Sequence, residues 1–255
     1  MKKHILIFLI AILIATVSFA QVTKSDTLNK TDVKGKKQGY WKKYSHDTLK
    51  YEGRFKDDMP TGEFKYYYNN GKLKAVSKFA TGGKFCSTIM YYPSGKKEAD
   101  GFFTNQKKDS VWKYYTENDT VNAEEHYKNC LKNGDWKFFY SNGVLNEEVY
   151  WVNGVRNGLW KMYYSDGSLK SECKIINDKR EGLFKFYFPS GKVLMSGLYK
   201  AGLKDGVWMH FTEEGLAKKK ETYDKGILKK TEILIPDKKD KTEKVEKTDN
   251  IDNGQ

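Results

Sequence analysis

Three histidines are the first residues to test for chemistry, because imidazole serves both acid–base catalysis and metal binding. His46, His126 and His210 lie far apart in the sequence, and no two of them have the spacing of metal ligands. No serine or cysteine is placed so that a catalytic triad with them is credible. We expect all three histidines to be ordinary strand or turn residues.

Four glutamates recur at one place of a repeated pattern and could be taken for the paired carboxylates of acid–base catalysis. They are Glu52, Glu124, Glu148 and Glu172. Each is expected to face a lysine on the neighbouring strand, so structural ion pairing is the favoured interpretation. The glycines are periodic turn formers and make no phosphate-binding loop between a strand and a helix. The sequence therefore predicts no enzyme activity, no catalytic residue, no cofactor and no metal site.

The three cysteines of the chain, Cys86, Cys130 and Cys173, are each about two repeats from the next. With two strands per repeat and about 4.8 Å between strands, that separation is roughly 19 Å. A disulfide needs Cα atoms within about 7 Å of each other. We predict no structural disulfide, and thiols that behave as small hydrophobic side chains.

These residues sit in a 24-residue repeat, which decides the architecture. Stepping forward by 24 from Gly62 reaches Cys86, Ser110, Gly134, Gly158, Gly182 and Gly206, and one copy that is a residue shorter begins at Gly39. Two positions after each start is a large aromatic residue, with Thr88 of copy three as the exception: Trp41, Phe64, Trp112, Trp136, Trp160, Phe184 and Trp208. Three positions further on, all eight copies carry Tyr or Phe, including Tyr67, Tyr115, Tyr163 and Tyr187. Such a period is typical of an array whose units bury apolar surface only against their neighbours.

One repeat is predicted to be one β-hairpin. In copy five, an aromatic strand at 135–140 precedes Asn142-Gly143, a pair typical of a two-residue type I′ turn. A second strand follows at 144–152, and a longer glycine-containing loop at 153–158 returns the chain. The turn recurs in other copies, for example at Gly71 and Gly167. The predicted fold is all-β: an elongated, open twisted sheet of about eight antiparallel hairpins, or about sixteen strands.

A turn centred on Asn142-Gly143 also fixes the register of each hairpin. It places lysine opposite glutamate in four copies: Lys42 with Glu52, Lys113 with Glu124, Lys137 with Glu148, and Lys161 with Glu172. It places Trp41 opposite Gly53, Trp160 opposite Cys173 and Phe184 opposite Gly197, so that bulky rings can lie across a small partner. We expect one face to carry the tryptophans and the other a Lys/Glu/Tyr lattice. The weakest pairing, or a kink, is expected in copies three and four.

The ends of the chain have a different composition from the array. Residues 1–20 have a basic start, an apolar run from Ile5 to Phe19 and a small-residue cleavage site ending at Ala20, the pattern of a secretory signal peptide. Residues 21–37 form a polar leader, residues 38–235 the repeat array and residues 236–255 a charged tail expected to be disordered. We therefore predict export to the periplasm or cell surface, with an uncleaved anchor as the alternative.

The repeat unit resembles the bacterial MORN-variant repeat. Copy six is a nearly ideal instance, because it reads Gly158-Leu-Trp160-Lys161-Met-Tyr163-Tyr-Ser-Asp-Gly167-Ser-Leu-Lys-Ser-Glu172. The resemblance covers about residues 38–234. Bacterial proteins built this way are commonly grouped as YwqK-type antitoxins, and classical MORN arrays are implicated in membrane-associated scaffolding and lipid binding. The resemblance therefore implies a binding protein, with a protein or an anionic membrane surface as its partner.

Three binding functions remain open from the sequence. The first is a protein-interaction or envelope scaffold, since a long repeat array offers a large surface. The second is an antitoxin or immunity-type binder of a toxin protein. The third is attachment to cell-wall glycan through exposed rings, or to anionic lipid through the formal net charge of +13. A nucleic-acid partner is not expected for an exported protein.

Overall fold

A computed structural model describes residues 28–235, and all regular structure in that range is β-strand. There are nineteen strands in one sheet. Their bounds are β1 Lys30–Thr31, β2 Lys37–Ser45, β3 Thr48–Lys56, β4 Met59–Tyr67, β5 Leu73–Phe79, β6 Phe85–Tyr91, β7 Lys97–Thr104, β8 Lys107–Tyr115, β9 Val121–Lys128, β10 Leu131–Lys132, β11 Gly134–Phe139, β12 Leu145–Val152, β13 Val155–Tyr163, β14 Leu169–Ile176, β15 Lys179–Tyr187, β16 Val193–Lys200, β17 Leu203–Phe211, β18 Ala217–Asp224 and β19 Ile227–Ile233.

The sheet is a meander in which the strands pair antiparallel in chain order, from β1 with β2 to β18 with β19. The short strand β10 and strand β11 both pair with β9, so they form one strand that is interrupted at Asn133. The predicted all-β fold of hairpin repeats is confirmed. Three strands exceed the predicted sixteen: β1, the second piece of the interrupted strand, and β19, which begins an incomplete ninth unit.

The Asn-Gly turn of copy five is not of the predicted type I′, whereas the first hairpin has a two-residue turn in which His46 and Asp47 both have positive φ values, 47° and 58°. Gly143 has a φ of 81°, but Asn142 does not have a positive φ. The amide of Gly143 donates to the carbonyl of Tyr140 at 2.9 Å, and the amide of Tyr140 donates to the carbonyl of Val144 at 2.8 Å. This is a three-residue loop that ends on a left-handed glycine, the arrangement of a type I turn with a G1 bulge.

The two-residue turns lie between the repeats, where a longer loop was predicted. Strand β13 begins at Val155, so the segment 153–158 is mostly strand, and Asn153 and Gly154 alone make the turn. Both have positive φ values, 48° and 87°, as a type I′ turn requires. Asn177 and Asp178 do the same between copies six and seven, at 48° and 63°. Asn and Asp tolerate this conformation, so a tight turn such as Asn177-Asp178 needs no glycine. Asn153-Gly154 does carry the Asn-Gly signature, and the prediction of a longer loop there was wrong.

The predicted leader is partly built into the sheet. Strand β1 pairs with β2 through Lys30 with Gln38 and Thr31 with Lys37, so it adds a short strand beside the first hairpin. The predicted signal peptide at 1–20 and the predicted charged tail at 236–255 lie outside the described residues.

The register of the hairpins matches the prediction. Lys42, Lys113, Lys137 and Lys161 are the partners of Glu52, Glu124, Glu148 and Glu172 in the ladders, and Trp41, Trp160 and Phe184 are the partners of Gly53, Cys173 and Gly197. The rings are nevertheless seated elsewhere than expected. A Cβ on Gly53 would lie 2.5 Å from the ring of Phe64, and one on Gly197 would lie 2.2 Å from the ring of Trp208.

Each small residue therefore forms the seat for the ring of the next copy, not for the ring across its own hairpin. The indole N–H of Trp112 donates to the carbonyl of Phe102 at 3.0 Å, and that of Trp208 donates to the carbonyl of Leu198 at 3.2 Å, both on the preceding hairpin. The ring joins one hairpin to the one before it. These rings form the core of the array, and Trp112 and Trp208 are fully buried.

Copy three departs from the others in its backbone as well as in its ring. The first residue of the other copies has a positive φ, as at Gly62 (67°) and Ser110 (59°), and produces a bulge in the pairing with the preceding hairpin. Cys86 begins copy three without a positive φ, and the β5–β6 ladder is regular from Ala75–Met90 to Phe79–Cys86. The connection before it, residues 80–84, has five residues where neighbouring connections have two. Copy three is thus paired with the preceding hairpin without a bulge, whereas its own β6–β7 ladder shifts between Met90 and Tyr91.

Candidate functional site

The residues tested for catalysis are spread over the sheet. His46 lies in the turn between β2 and β3, His126 in β9 and His210 in β17. His210 contacts a carboxylate, because its Nε2 lies 3.1 Å from Glu221. Within residues 28–235, no three His, Cys, Asp or Glu side chains are grouped so that they could hold a metal ion. Cys86 and Cys173 are buried, Cys130 is exposed, and all three thiols are free.

The predicted lysine–glutamate pairs form a ladder that runs across hairpin boundaries. Lys42 Nζ lies 3.5 Å from Glu52, and Lys113 Nζ lies 3.0 Å from Glu124, each within its own hairpin. Lys161 instead approaches Glu148 of the preceding hairpin, at 3.4 Å. Lys137 and Lys161 each stand between two glutamates in the pairing: Lys137 between Glu124 and Glu148, Lys161 between Glu148 and Glu172.

Tyrosines complete this lattice, as predicted for the face opposite the tryptophans. The hydroxyl of Tyr67 donates to Glu52 at 2.5 Å, that of Tyr163 to Glu148 at 2.7 Å, and that of Tyr187 to Glu172 at 2.6 Å. Hydrogen bonds from Tyr67 and from Tyr40 hold the pKa of Glu52 below its ordinary value. Burial, together with the hydrogen bond to Glu52, raises the pKa of Tyr40 to about 12. These glutamates are engaged in structural contacts on both sides.

A basic residue covers the rings of the opposite face. It stands two positions before the start of a copy, and its charge lies over a tryptophan ring in five cases: Lys37 over Trp41 at 5.0 Å, Lys108 over Trp112 at 4.4 Å, Lys132 over Trp136 at 4.0 Å, Arg180 over Trp160 at 5.1 Å and Lys204 over Trp208 at 4.3 Å. Cation–π contacts of this kind stabilise the ring and occupy its face. The rings covered in this way are not free to stack on a ligand.

Copy three leaves an opening in the covered face. Thr88 takes the place of the ring, and a cavity of about 270 Å³ remains beside it. Phe79 and Phe103 line it on either side, Ser77 and Cys86 lie at its floor, and Lys84 stands at its rim. It adjoins a groove of about 690 Å³ that shares Phe79 and Lys84 and extends towards Asp58 and Asn105. The cavity is therefore the space left by the aromatic ring that copy three lacks.

The Lys/Glu/Tyr face carries an exposed apolar cluster in copies six to eight. Leu159, Leu183, Leu198 and Val207 are 54%, 52%, 50% and 45% exposed, and we call them the leucine cluster. Leu183 and Leu198 are direct partners across β15 and β16. Leu159 and Leu183 line one depression of about 350 Å³ together with Glu172, Lys174, Glu181 and Lys185. Charged side chains thus surround an apolar surface that the fold leaves open.

A comparison with protein families identifies the repeat. The model of the MORN repeat variant matches residues 60–80, 108–129, 132–153, 156–177 and 180–201. The chain carries MORN-variant repeats. The matched segments follow the hairpins of copies two and four to seven, whereas the MORN-variant model does not match the stretch around Thr88 and Lys84 in copy three. The copy that has lost its ring and its bulge is therefore an interior copy that the MORN-variant model does not match; the first and last copies are not matched either.

No curated protein matches the sequence of this MORN-variant chain. Among solved structures, a chain in "Crystal Structure of TarM" is similar with 13% identity over 38% of this chain and 19% of that one, at a TM-score of 0.29. A chain in "Crystal Structure of TcdB2-TccC3-Cdc42" has 9% identity over 75% of this chain and 13% of that one, at a TM-score of 0.19. This chain thus spans at most about a fifth of the length of either.

Two periodic features of the MORN-variant array were missed from the sequence. One is the basic residue over the ring, which the recurrence of Lys or Arg two positions before seven of the eight starts could have revealed; Pro60 is the exception. The other is a second tyrosine column directly after the Tyr/Phe position. The hydroxyls of Tyr68 and Tyr164 donate to the carbonyls of Tyr91 and Tyr187 in the following copies, both at 2.7 Å.

A helix that could span a membrane is not found among residues 28–235.

Proposed function

We propose that this chain is an exported, non-enzymatic repeat protein that acts as a protein-interaction scaffold through the leucine cluster. The observation that carries the proposal is the exposure of four large aliphatic side chains on one sheet face, of which Leu183 and Leu198 are direct partners. An apolar centre with a charged rim is the usual composition of a protein interface. Contiguous exposed apolar surface on a soluble protein is typical of an interaction site.

The arrangement of the two faces supports a protein partner over the alternatives. On the aromatic face, five tryptophan rings are covered by the chain's own Lys or Arg, which disfavours sugar stacking. On the other face, lysines such as Lys113 and Lys161 are paired with glutamates, which reduces their attraction for anionic lipid. Export is supported by the signal-peptide pattern of residues 1–20. An antitoxin or immunity-type role would use the same leucine cluster, with a toxin protein as its partner.

The test is affinity capture from the envelope of the source cell, with the double variant Leu183→Asp, Leu198→Asp beside the unchanged protein. Charges at the centre of an interface should weaken capture of a specific partner by about 30-fold or more. Leu131→Asp is the matched control, because Leu131 is also 50% exposed but lies in β10, away from the cluster. Equal recovery of the partner with the double variant would exclude the leucine cluster. Capture of a toxin would select the immunity role, and of a structural envelope protein the scaffold role.

Export is tested separately by amino-terminal sequencing of the protein from cell fractions. We expect a mature chain that begins at Gln21 and is found outside the cytoplasm. A chain that retains Met1 in a membrane fraction would indicate the uncleaved anchor, and one in the cytoplasm would contradict export.

A further inference from the structure

Copy three has Thr88 at the ring position, but the aromatic residues that flank such a ring in other copies are present around it. In copy two, Phe64 is held between Phe55 and Phe79, with ring centroids 5.1 and 5.2 Å apart and both contacts edge to face. In copy four, Phe103 makes the same edge-to-face contact with Trp112, at 4.9 Å. The cavity of copy three lies between Phe79 and Phe103, where the array places a ring in the neighbouring copies. The flanking rings of a ring site are therefore already in position.

The cavity is lined by few polar groups that would require water. The hydroxyls of Ser77 and Thr88 are buried and share one hydrogen bond of 2.7 Å, and the Thr88 hydroxyl also lies 3.7 Å from Sγ of Cys86. The other lining side chains are mainly apolar and include Tyr66, Met90 and Cys86. Dry apolar cavities of about 150 Å³ are known to bind benzene. A cavity of about 270 Å³ has room for a larger planar ring.

A cation stands at the rim of the cavity without a partner. Lys84 is two positions before the start of copy three, as Lys108 and Lys204 are in their copies, but it lies in the connection 80–84 and not in a strand as those two lysines do. Among the described residues, Lys84 has no ion pair and no ring within cation–π distance. The adjoining groove contains one carboxylate, Asp58, which is occupied in accepting a hydrogen bond from the amide of Lys37 at 2.8 Å. The entrance of the cavity thus presents a free positive charge.

We propose that the cavity of copy three binds a small planar aromatic carboxylate. Its ring takes the place of the absent tryptophan between Phe79 and Phe103, and its carboxylate pairs with Lys84. The ring seats of the neighbouring copies provide the template for this assignment. The site lies on the aromatic face, so it is independent of the protein-binding role proposed for the leucine cluster.

The experiment is titration of the purified full chain with three probes that share a ring and differ in charge: indole-3-acetate, indole and tryptamine. We expect indole-3-acetate to bind most tightly and tryptamine most weakly. Binding is followed by calorimetry and by the resonances of the methionine methyl groups, because Met90 lines the cavity. Absence of saturable binding by all three probes at millimolar concentration would overturn the proposal.

Two substitutions separate the ring site from the charge. Thr88→Trp fills the cavity with the chain's own ring, so it should weaken indole-3-acetate binding by about 30-fold or more. Thr88→Leu fills part of the same space and serves if the tryptophan variant does not fold. Lys84→Gln should weaken indole-3-acetate by about fivefold and leave indole unchanged. Unchanged affinity for indole-3-acetate in a folded Thr88 variant would place its binding elsewhere and refute the assignment.

Discussion

Gly197 lies under the indole of Trp208, so the substitution Gly197→Ala tests whether ring seating joins successive hairpins. The backbone of Gly197 is not in the left-handed region, so alanine can adopt its conformation. Without the ring, the change should be neutral or stabilising by up to about 1 kcal/mol, because alanine restricts the unfolded chain. Any loss of stability must therefore come from the contact with Trp208.

The size of the effect follows from the geometry of the seat. The added Cβ would lie 2.2 Å from Cδ2 of Trp208, whereas ordinary carbon contacts are about 3.5–4.0 Å. The ring or the strand must move by more than about 1 Å, and overpacking of this kind costs about 1–3 kcal/mol. Displacing the indole also weakens its hydrogen bond to the carbonyl of Leu198, at 3.2 Å. We expect Gly197→Ala to destabilise the protein by about 2 kcal/mol.

The assay is a double-mutant cycle with Trp208→Ala, measured by urea unfolding and far-ultraviolet circular dichroism. Because repeat arrays need not unfold in one step, hydrogen exchange of residues 193–211 locates the loss. The predicted coupling is about 2 kcal/mol or more, since Gly197→Ala should cost nothing once the indole is removed. If alanine costs the same with and without Trp208, the ring does not act through this seat.

Three further predictions follow from local geometry. Gly143→Val puts a β-branched residue at a φ of 81° in open space, so backbone strain alone should cost about 1–2 kcal/mol in urea unfolding; a loss under about 0.5 kcal/mol would contradict the turn assignment. Burial would raise the pKa of Glu221, but hydrogen bonds from neighbouring side chains outweigh it and lower the pKa from 4.5 to about 2. Its stabilisation is complete above pH 4.5 and is lost as the pH falls towards 2, so the unchanged protein should lose up to about 3 kcal/mol more than Glu221→Gln over that window; parallel curves would refute this. In a thiol-labelling assay, exposed Cys130 should react in the native protein, and buried Cys86 and Cys173 only in denaturant; rapid labelling of two thiols would contradict the burial.

The architecture could be predicted from the sequence because its causes are local and repeated. Most hairpins have a turn glycine such as Gly143, and four of the eight copies have a lysine–glutamate pair across the strands. Both signals indicate one register. Turn type was less accessible, since Asn and Asp also adopt positive φ, and Asn177-Asp178 therefore makes a tight turn without any glycine. The turn at Asn142-Gly143 is a three-residue loop and not the predicted two-residue turn, but the strands on either side of it pair in the predicted register.

The candidate site was predictable only in part. The replacement of the ring by Thr88 is visible in the sequence, but that it leaves a cavity depends on Phe79 and Phe103 remaining in place around it. The strand register predicts which residue is paired with each ring-bearing residue, but it does not predict which neighbouring strand the ring packs against. That direction depends on the twist of the sheet and on the side-chain rotamer. Leu183 and Leu198 were not singled out, because an exposed leucine and a buried one look alike in a single repeat.

The seating of each ring on the preceding hairpin gives the array a direction. At one end of the described range 28–235, no repeat hairpin precedes Trp41, and its indole donates within its own strand to the carbonyl of Gln38 at 3.0 Å. At the other end of the described range, Glu221 occupies the last seat position and is buried, and strand β19 has no aromatic residue to pack on it. Copies four to seven share this arrangement, so one of them can be removed: excision of residues 158–181 would set Phe184 on Val149, in the place that Trp160 now occupies. The length of such a protein can therefore change by whole units without creating a mismatched junction, whereas its two ends cannot be exchanged.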